Sequence, residues 1–147
     1  MIESRAPSAY LPAMVMRRFP RTVGSLEVIV SFVHEFLAER GIDPEHAHDA
    51  DLVIEELFTN MVKYGGGQAD IAIGLEADPA RLTVELRDFG VEEWDVTQSK
   101  PVDVDAPLEQ RRPGGLGLHL VKRIAEKFQY AYRDRTSIIT VTMRLTP

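Results

Sequence analysis

Glu56 and Asn60 are the first residues along this chain whose types and spacing could do chemistry together. They sit in the stretch Asp51 to Gly67, where Leu52, Val53, Leu57, Met61 and Val62 recur at helical spacing. A separation of four on a helix stacks both side chains on one face. A carboxylate and a carboxamide so placed can act on one metal–phosphate group, the first as a base and the second as an oxygen ligand. The plainer alternative is a solvated glutamate and a helix-end asparagine, with Gly65-Gly66-Gly67 ending the helix. Two later stretches bear on the choice. Asp88-Phe89-Gly90 closes a strand-like run, where Asp88 can offer a fixed carboxylate to a ligand amine and Gly90 permits close backbone approach. Alone, that pattern is also an ordinary turn. Gly114-Gly115-Leu116-Gly117-Leu118 opens a helical run, where free amides and the helix dipole favour an anion. Arg111 and Arg112, just before it, can add donors to phosphate oxygens. A glycine hinge with close helix packing is the alternative there. Neither a Walker A loop nor a Rossmann fingerprint fits, because no Gly-Lys-Ser/Thr follows and no strand directly precedes.

The elements that must position these residues read as follows. Met1 to Pro12 is small and polar and reads as a loose arm; Met14 to Phe19 reads as an edge strand stopped by Pro20. Thr22 can cap a helix whose apolar stripe is Leu26, Ile29, Val30, Val33, Phe36 and Leu37. Gly41 ends that helix, and Pro44 suits the first turn of the helix that carries Glu56 and Asn60. Ile71, Ile73 and Leu75, then Leu82, Val84 and Leu86, alternate with period two around Asp78-Pro79, which predicts a β-hairpin. Phe89 to Pro113 is long, charged and proline-bearing, the pattern of a functional lid or a disordered segment, with the lid taken as 91–113. A helix from Leu116 to Lys127 follows, with Leu116, Leu120, Val121 and Ile124 inward, and strands near Phe128–Arg133 and Ser137–Leu145 close the chain. This order predicts one α+β domain over 1–147. Its form is a two-layer sandwich with helices on one face of a mixed, largely antiparallel sheet.

At 147 residues the chain can bury a real core. Its net charge of −6 argues against a general nucleic-acid binder, though not against a nucleotide site. The absence of cysteine excludes disulfides, thiolate zinc sites and a cysteine nucleophile. Four histidines offer no metal-ligand spacing beyond His46-x-His48, which reads as an exposed helix start. No apolar run suits a membrane span or a signal peptide, so the expectation is a soluble cytoplasmic protein.

In combination, Glu-x-x-x-Asn on a helix, strand–Asp-x-Gly, a long loop and Gly-x-Gly opening a helix resemble the Bergerat (GHKL) ATP-binding fold of gyrase, Hsp90 chaperones, histidine kinases and mismatch-repair ATPases. Within it the chain most resembles the bacterial anti-sigma-factor serine kinases of partner-switching systems, through Phe19–Tyr64 and through Gly114 to Val121. The resemblance implies ATP and Mg²⁺ as cofactors, with Glu56 as general base and Asn60 as Mg²⁺ ligand. It implies that Asp88 meets the adenine amine with Gly90 beside it, and that Gly115, Leu116 and Gly117 form the phosphate-holding turn. More loosely, it implies Thr140 as an adenine-site threonine and Arg111 or Arg112 as a γ-phosphate contact. The implied activity is phosphorylation of an antagonist protein on Ser/Thr by a domain that also binds a sigma factor and forms a homodimer, without direct contact to nucleic acid or membrane. The alternative is a nucleotide-sensing binding module that moves no phosphate. One departure is Val91 followed by Glu92-Glu93, where that family commonly continues with a second glycine or a proline. Trp94, the single tryptophan, reads as a lid or core anchor rather than an adenine stacking partner.

Overall fold

The computed structural model describes residues 14–93 and 115–145. Within them the chain forms β1 (Val15–Phe19), α1 (Leu26–Glu39), α2 (Ala47–Tyr64), β2 (Ile71–Ala77), β3 (Arg81–Phe89), α3 (Gly115–Ile124), β4 (Lys127–Arg133) and β5 (Thr136–Arg144). The strands make one sheet of order β1-β2-β3-β5-β4. Every pairing in it is antiparallel, so the expected mixed character is absent among the described strands. The three helices layer on one face, which gives the two-layer α+β sandwich that the change of period predicts.

Strand alternation sets which residues meet the helices. Leu82, Val84, Leu86 and Asp88 of β3 are buried, and so are Ser137, Ile139, Val141 and Met143 of β5. The residues between them look to the open face of the sheet. From above, α1 inserts Ile29, Phe32, Val33, Phe36 and Leu37, and α2 inserts Val53, Ile54, Leu57, Phe58 and Met61. Each such side chain contributes about 1.5–3 kcal/mol by leaving water. Phe19, the last residue of β1, packs on Phe32 with ring centroids 5.6 Å apart, which fixes the point where the chain enters the helix layer.

Several expected inward positions lie outside the stripe. Val30, Leu52 and Leu120 are exposed, because each sits about one residue, or 100°, around its helix from the buried row. Phe32 and Leu118 take inward places instead. Thr22 precedes a short 3-10 turn, Val23–Ser25, and makes no side-chain cap. α3 stops at Ile124 rather than Lys127, because the Glu126 amide already donates to Thr142 O at 2.7 Å and begins the strand pairing. The Asp78-Pro79 hairpin forms as expected: Asp78 Oδ1 accepts from the amides of Ala80 and Arg81 at 2.7 and 2.8 Å.

Glu126 ties this end of the molecule together. It accepts from Arg81 Nε at 2.5 Å and from Arg144 Nε at 2.6 Å. Those two bonds, Arg81 first, pull its carboxyl from 4.5 down to about 2. A carboxyl depressed in the fold adds stability above its unfolded value and loses it as pH falls toward the folded one. Glu126→Gln should therefore melt slightly below wild type at neutral pH, the effect being small because both arginine partners are exposed to solvent. The gap should close as pH drops from about 4.5 to about 2. Thermal melts across that window check it, and a gap that stays constant contradicts it.

Candidate functional site

The pair that the sequence singles out forms on α2. Asn60 Nδ2 donates to Glu56 Oε2 at 2.7 Å, with Asn60 buried and Glu56 half-buried. A carboxylate only accepts, so this bond settles the amide orientation and leaves Asn60 Oδ1 as the atom able to meet a hard cation. Burial pushes the Glu56 carboxyl above its ordinary value, the Asn60 bond pulls it back, Glu55 raises it and Lys63 lowers it. The net rise makes Glu56 a stronger base than a solvated glutamate. The helix-end asparagine of the plainer alternative is thus a buried side chain with a fixed partner.

Asp88 is the penultimate residue of β3 and faces the helix layer rather than projecting from the strand end. It is buried beside Ser137, its register partner on β5. Burial raises its carboxyl above the ordinary value, and the neighbouring Arg21 guanidinium counters this by charge and by hydrogen bond. Arg21 pairs with Asp88 Oδ1, and its other nitrogens donate to Met61 O at 2.7 Å and Ala69 O at 3.0 Å. Asp88 Oδ2 turns toward Gly65, where an added Cβ would stand 2.8 Å from that oxygen and 2.6 Å from Met61 O. Gly65→Ala must displace the helix end or the carboxylate. The expected loss is about 1–3 kcal/mol of stability, as for overpacking, read by denaturant unfolding. A neutral Gly65→Ala contradicts this packing.

These groups line a narrow cleft of about 30 Å³. Leu57, Asn60 and Met61 of α2 form one wall, Asp88, Ser137 and Ile139 the floor, and Gly65 and Val91 the rim. The cleft is apolar except at Asp88, Asn60, Ser137 and the exposed Glu92 at its mouth, the pattern of a small-molecule site with few orienting polar groups. Gly90 adopts φ 69°, the left-handed turn that lets the chain leave β3. Val91 is then tied to the β4–β5 hairpin: its amide donates to Arg135 O at 3.0 Å, and its carbonyl accepts from Tyr132 Oη at 2.7 Å. A second hollow of about 180 Å³ lies between α2 and α3, bounded by Glu56, Thr59 and Leu52 on one side and Leu120, Val121 and Ile124 on the other. The Glu56–Asn60 bond therefore bridges two spaces, with Asn60 facing the cleft and Glu56 the hollow.

The other sequence candidates divide. Gly115, Leu116 and Gly117 form the first turn of α3, where helix geometry leaves amides without intrahelical partners. α3 packs beside α2, in the same layer as Glu56 and Asn60. Thr140 is a correction: it pairs with Glu85 and Gln129 and points to the open face of the sheet, opposite the cleft. Ser137 stands beside Asp88 in its place. Arg111, Arg112, Trp94 and the expected lid beyond Glu93 lie outside the described residues, as does the expected arm 1–12. Among the described residues no cluster of three or more His, Asp or Glu side chains could hold a metal unaided, and no helix is long and apolar enough to cross a membrane.

Sequence reading missed Arg21 and Ser137. Arg21 meets Asp88 across 67 positions, and no local pattern announces that contact. Ser137 did carry a signal, as the one polar member of the inward row Ser137-Ile139-Val141-Met143.

Comparison with known proteins agrees with this frame. Serine-protein kinase RsbW of Bacillus mycoides is 27% identical over 106 residues, covering 67% of this chain and 65% of that protein. RsbW of Bacillus cereus strain B4264 matches equally. The chain thus spans about 65% of the length of these relatives. Among solved structures, the Pseudomonas aeruginosa SiaB–SiaC complex superposes with a TM-score of 0.62 at 17% identity, covering 94% of this chain and 93% of that one. The RsbU and RsbW domains of a Mycobacterium tuberculosis protein superpose with a TM-score of 0.61 at 16% identity, covering 90% of this chain and 32% of that one. Likeness at such identities speaks to the fold alone. The histidine kinase-like ATPase domain matches residues 19–145, from the end of β1 to just past β5, and the chain belongs to that family.

Proposed function

We propose that this protein is an ATP-dependent protein serine kinase that acts as an anti-sigma factor, phosphorylating an antagonist protein on Ser/Thr. The observation that carries the reading is the Glu56–Asn60 bond, which joins the narrow cleft at Asp88 to a second, open hollow. The serine-kinase relatives support the reaction class. The resemblance to partner-switching kinases supports a sigma factor, an antagonist and a second copy of the chain as partners, in the cytoplasm.

Bound ATP with Mg²⁺ would supply the phosphoryl group and neutralise its charge, and the protein's task would be positioning and electrostatics. The residues present suit both. Asp88 Oδ2 would accept a hydrogen bond from a base amine, with Leu57, Met61, Val91 and Ile139 packing on the ring. Asn60 Oδ1 would be the protein's ligand to the metal, and the first-turn amides of Gly115 and Gly117 would donate to phosphate oxygens. Glu56 accepts Asn60 at Oε2, which leaves Oε1 to take the proton from the acceptor serine hydroxyl entering from the α2–α3 hollow. The fuller site assignment, with Gly90, Leu116, Arg111 and Arg112, belongs to the same proposal.

Incubation with γ-labelled ATP, Mg²⁺ and candidate antagonist proteins from the same genome tests the reaction. Label on a serine or threonine of one antagonist is the expected result. ATP binding without transfer to any of them would instead support the nucleotide-sensing module.

A further inference from the structure

Arg21 is a largely buried cation, its side chain 11% exposed, and the mechanism above leaves it without a role. Its three nitrogens go to three places: Nε to Ala69 O, Nη1 to the α2 carbonyl of Met61, and Nη2 to Asp88 Oδ1. It thereby joins the segment after β1, the end of α2, the glycine loop and the end of β3 at one point. The loop is shaped around it. A Cβ on Gly67 would collide with the Arg21 guanidinium and stand 2.8 Å from Val91 Cγ1. An arginine anchored by two carbonyls cannot follow a mobile carboxylate, so the carboxylate is held where the arginine is.

We propose that Arg21 is the positioning residue of the base pocket: it takes Oδ1 of Asp88, turns Oδ2 to the cleft as a pure acceptor, and so restricts the pocket to purines bearing a 6-amino group. This rests on the nucleotide reading of the cleft and adds the source of its selectivity. A 6-amino purine offers an N–H to Oδ2. A 6-oxo purine offers an oxygen, and two acceptors face each other without a proton between them. Burial by itself favours the neutral carboxyl at Asp88, and Arg21 opposes that. Without Arg21 the carboxyl can rotate and carry an O–H, which the oxygen of a 6-oxo purine can accept. Among the described residues, the charged groups around Asp88 in the cleft are Arg21 behind it and Glu92 at the mouth, and of these Arg21 bonds it.

The test is calorimetric titration of ADP and of inosine diphosphate into wild type, Arg21→Met, Arg21→Lys and Gly67→Ala, each checked for folding by circular dichroism. Wild type should prefer ADP by about 10- to 100-fold, the worth of a hydrogen bond to a charged group. Arg21→Met should lose most of that preference, chiefly by weaker ADP binding, and Gly67→Ala should move in the same direction by crowding the guanidinium. Arg21→Lys, which keeps a charge near Asp88 but cannot hold both carbonyls and Oδ1 at once, should fall between wild type and Arg21→Met. A folded Arg21→Met with the wild-type preference overturns the inference, and so does an Arg21→Lys variant that keeps the preference in full. Should Arg21→Met not fold, Arg21→Lys and Gly67→Ala decide. Wild type that binds neither nucleotide overturns the reading of the cleft itself and the inference with it. Wild type that binds both equally overturns only the role of Arg21.

Discussion

Glu56→Gln should leave nucleotide affinity nearly intact while transfer to the antagonist falls by about 10²–10⁴, the usual worth of a positioned base. The glutamine can still accept Asn60 Nδ2 through its oxygen, so the bond that orients the amide survives. What disappears is the carboxylate able to take a proton. Because burial holds the Glu56 carboxyl above its ordinary value, wild-type transfer should fade on the acid side at a pH above the normal carboxylate range. Single-turnover transfer and calorimetry on the same preparations check both parts. Transfer that survives Glu56→Gln unchanged keeps the kinase and removes its base from this position. Asn60→Ala should damage binding and transfer together, since it removes both the orienting partner of Glu56 and the carboxamide oxygen.

Asp88→Asn should weaken ADP binding by about 1.5–3 kcal/mol, the range for a hydrogen bond to a charged group. The structure determines which way the new amide turns. Arg21 donates to the Oδ1 position, so the asparagine oxygen must stay there and its NH₂ must face the cleft. Two donors then confront each other at the base amine. The fold should survive, because Arg21 keeps an acceptor and its two carbonyl partners. Calorimetry gives the affinity, and circular dichroism confirms the fold. Unchanged affinity moves the base site away from Asp88.

How much of this was legible beforehand follows from how local each feature is. Glu56 and Asn60 lie one helical turn apart, so helix geometry alone brings them together. The β2–β3 hairpin was equally local, with period-two alternation on both sides of Asp78-Pro79. Arg21 was beyond reach because its meaning depends on the β3 end, the α2 end and the glycine loop arriving at one place. Gly65 and Gly67 read as a helix stop, yet each also provides clearance, Gly65 for Asp88 and Gly67 for Arg21. Thr140 was misplaced by one face of the sheet. A single-residue shift in strand phase inverts every side chain, and only the β3–β5 register reveals that Ser137 stands beside Asp88. Helical spacing places Leu52 and Leu120 in the core stripe, but both border the hollow next to Glu56. An apolar residue at the margin of a stripe is indistinguishable in sequence from one within it.

Amide chemical-shift mapping of the wild-type protein during ADP titration shows directly where the nucleotide sits. The largest shifts should fall on Gly65, Asp88, Val91, Ser137 and Ile139, around the cleft. Smaller ones should follow at Asn60 and in the first turn of α3, with Thr140 on the open face little affected. Shifts centred on the open face, or no saturable shifts at all, would contradict this placement.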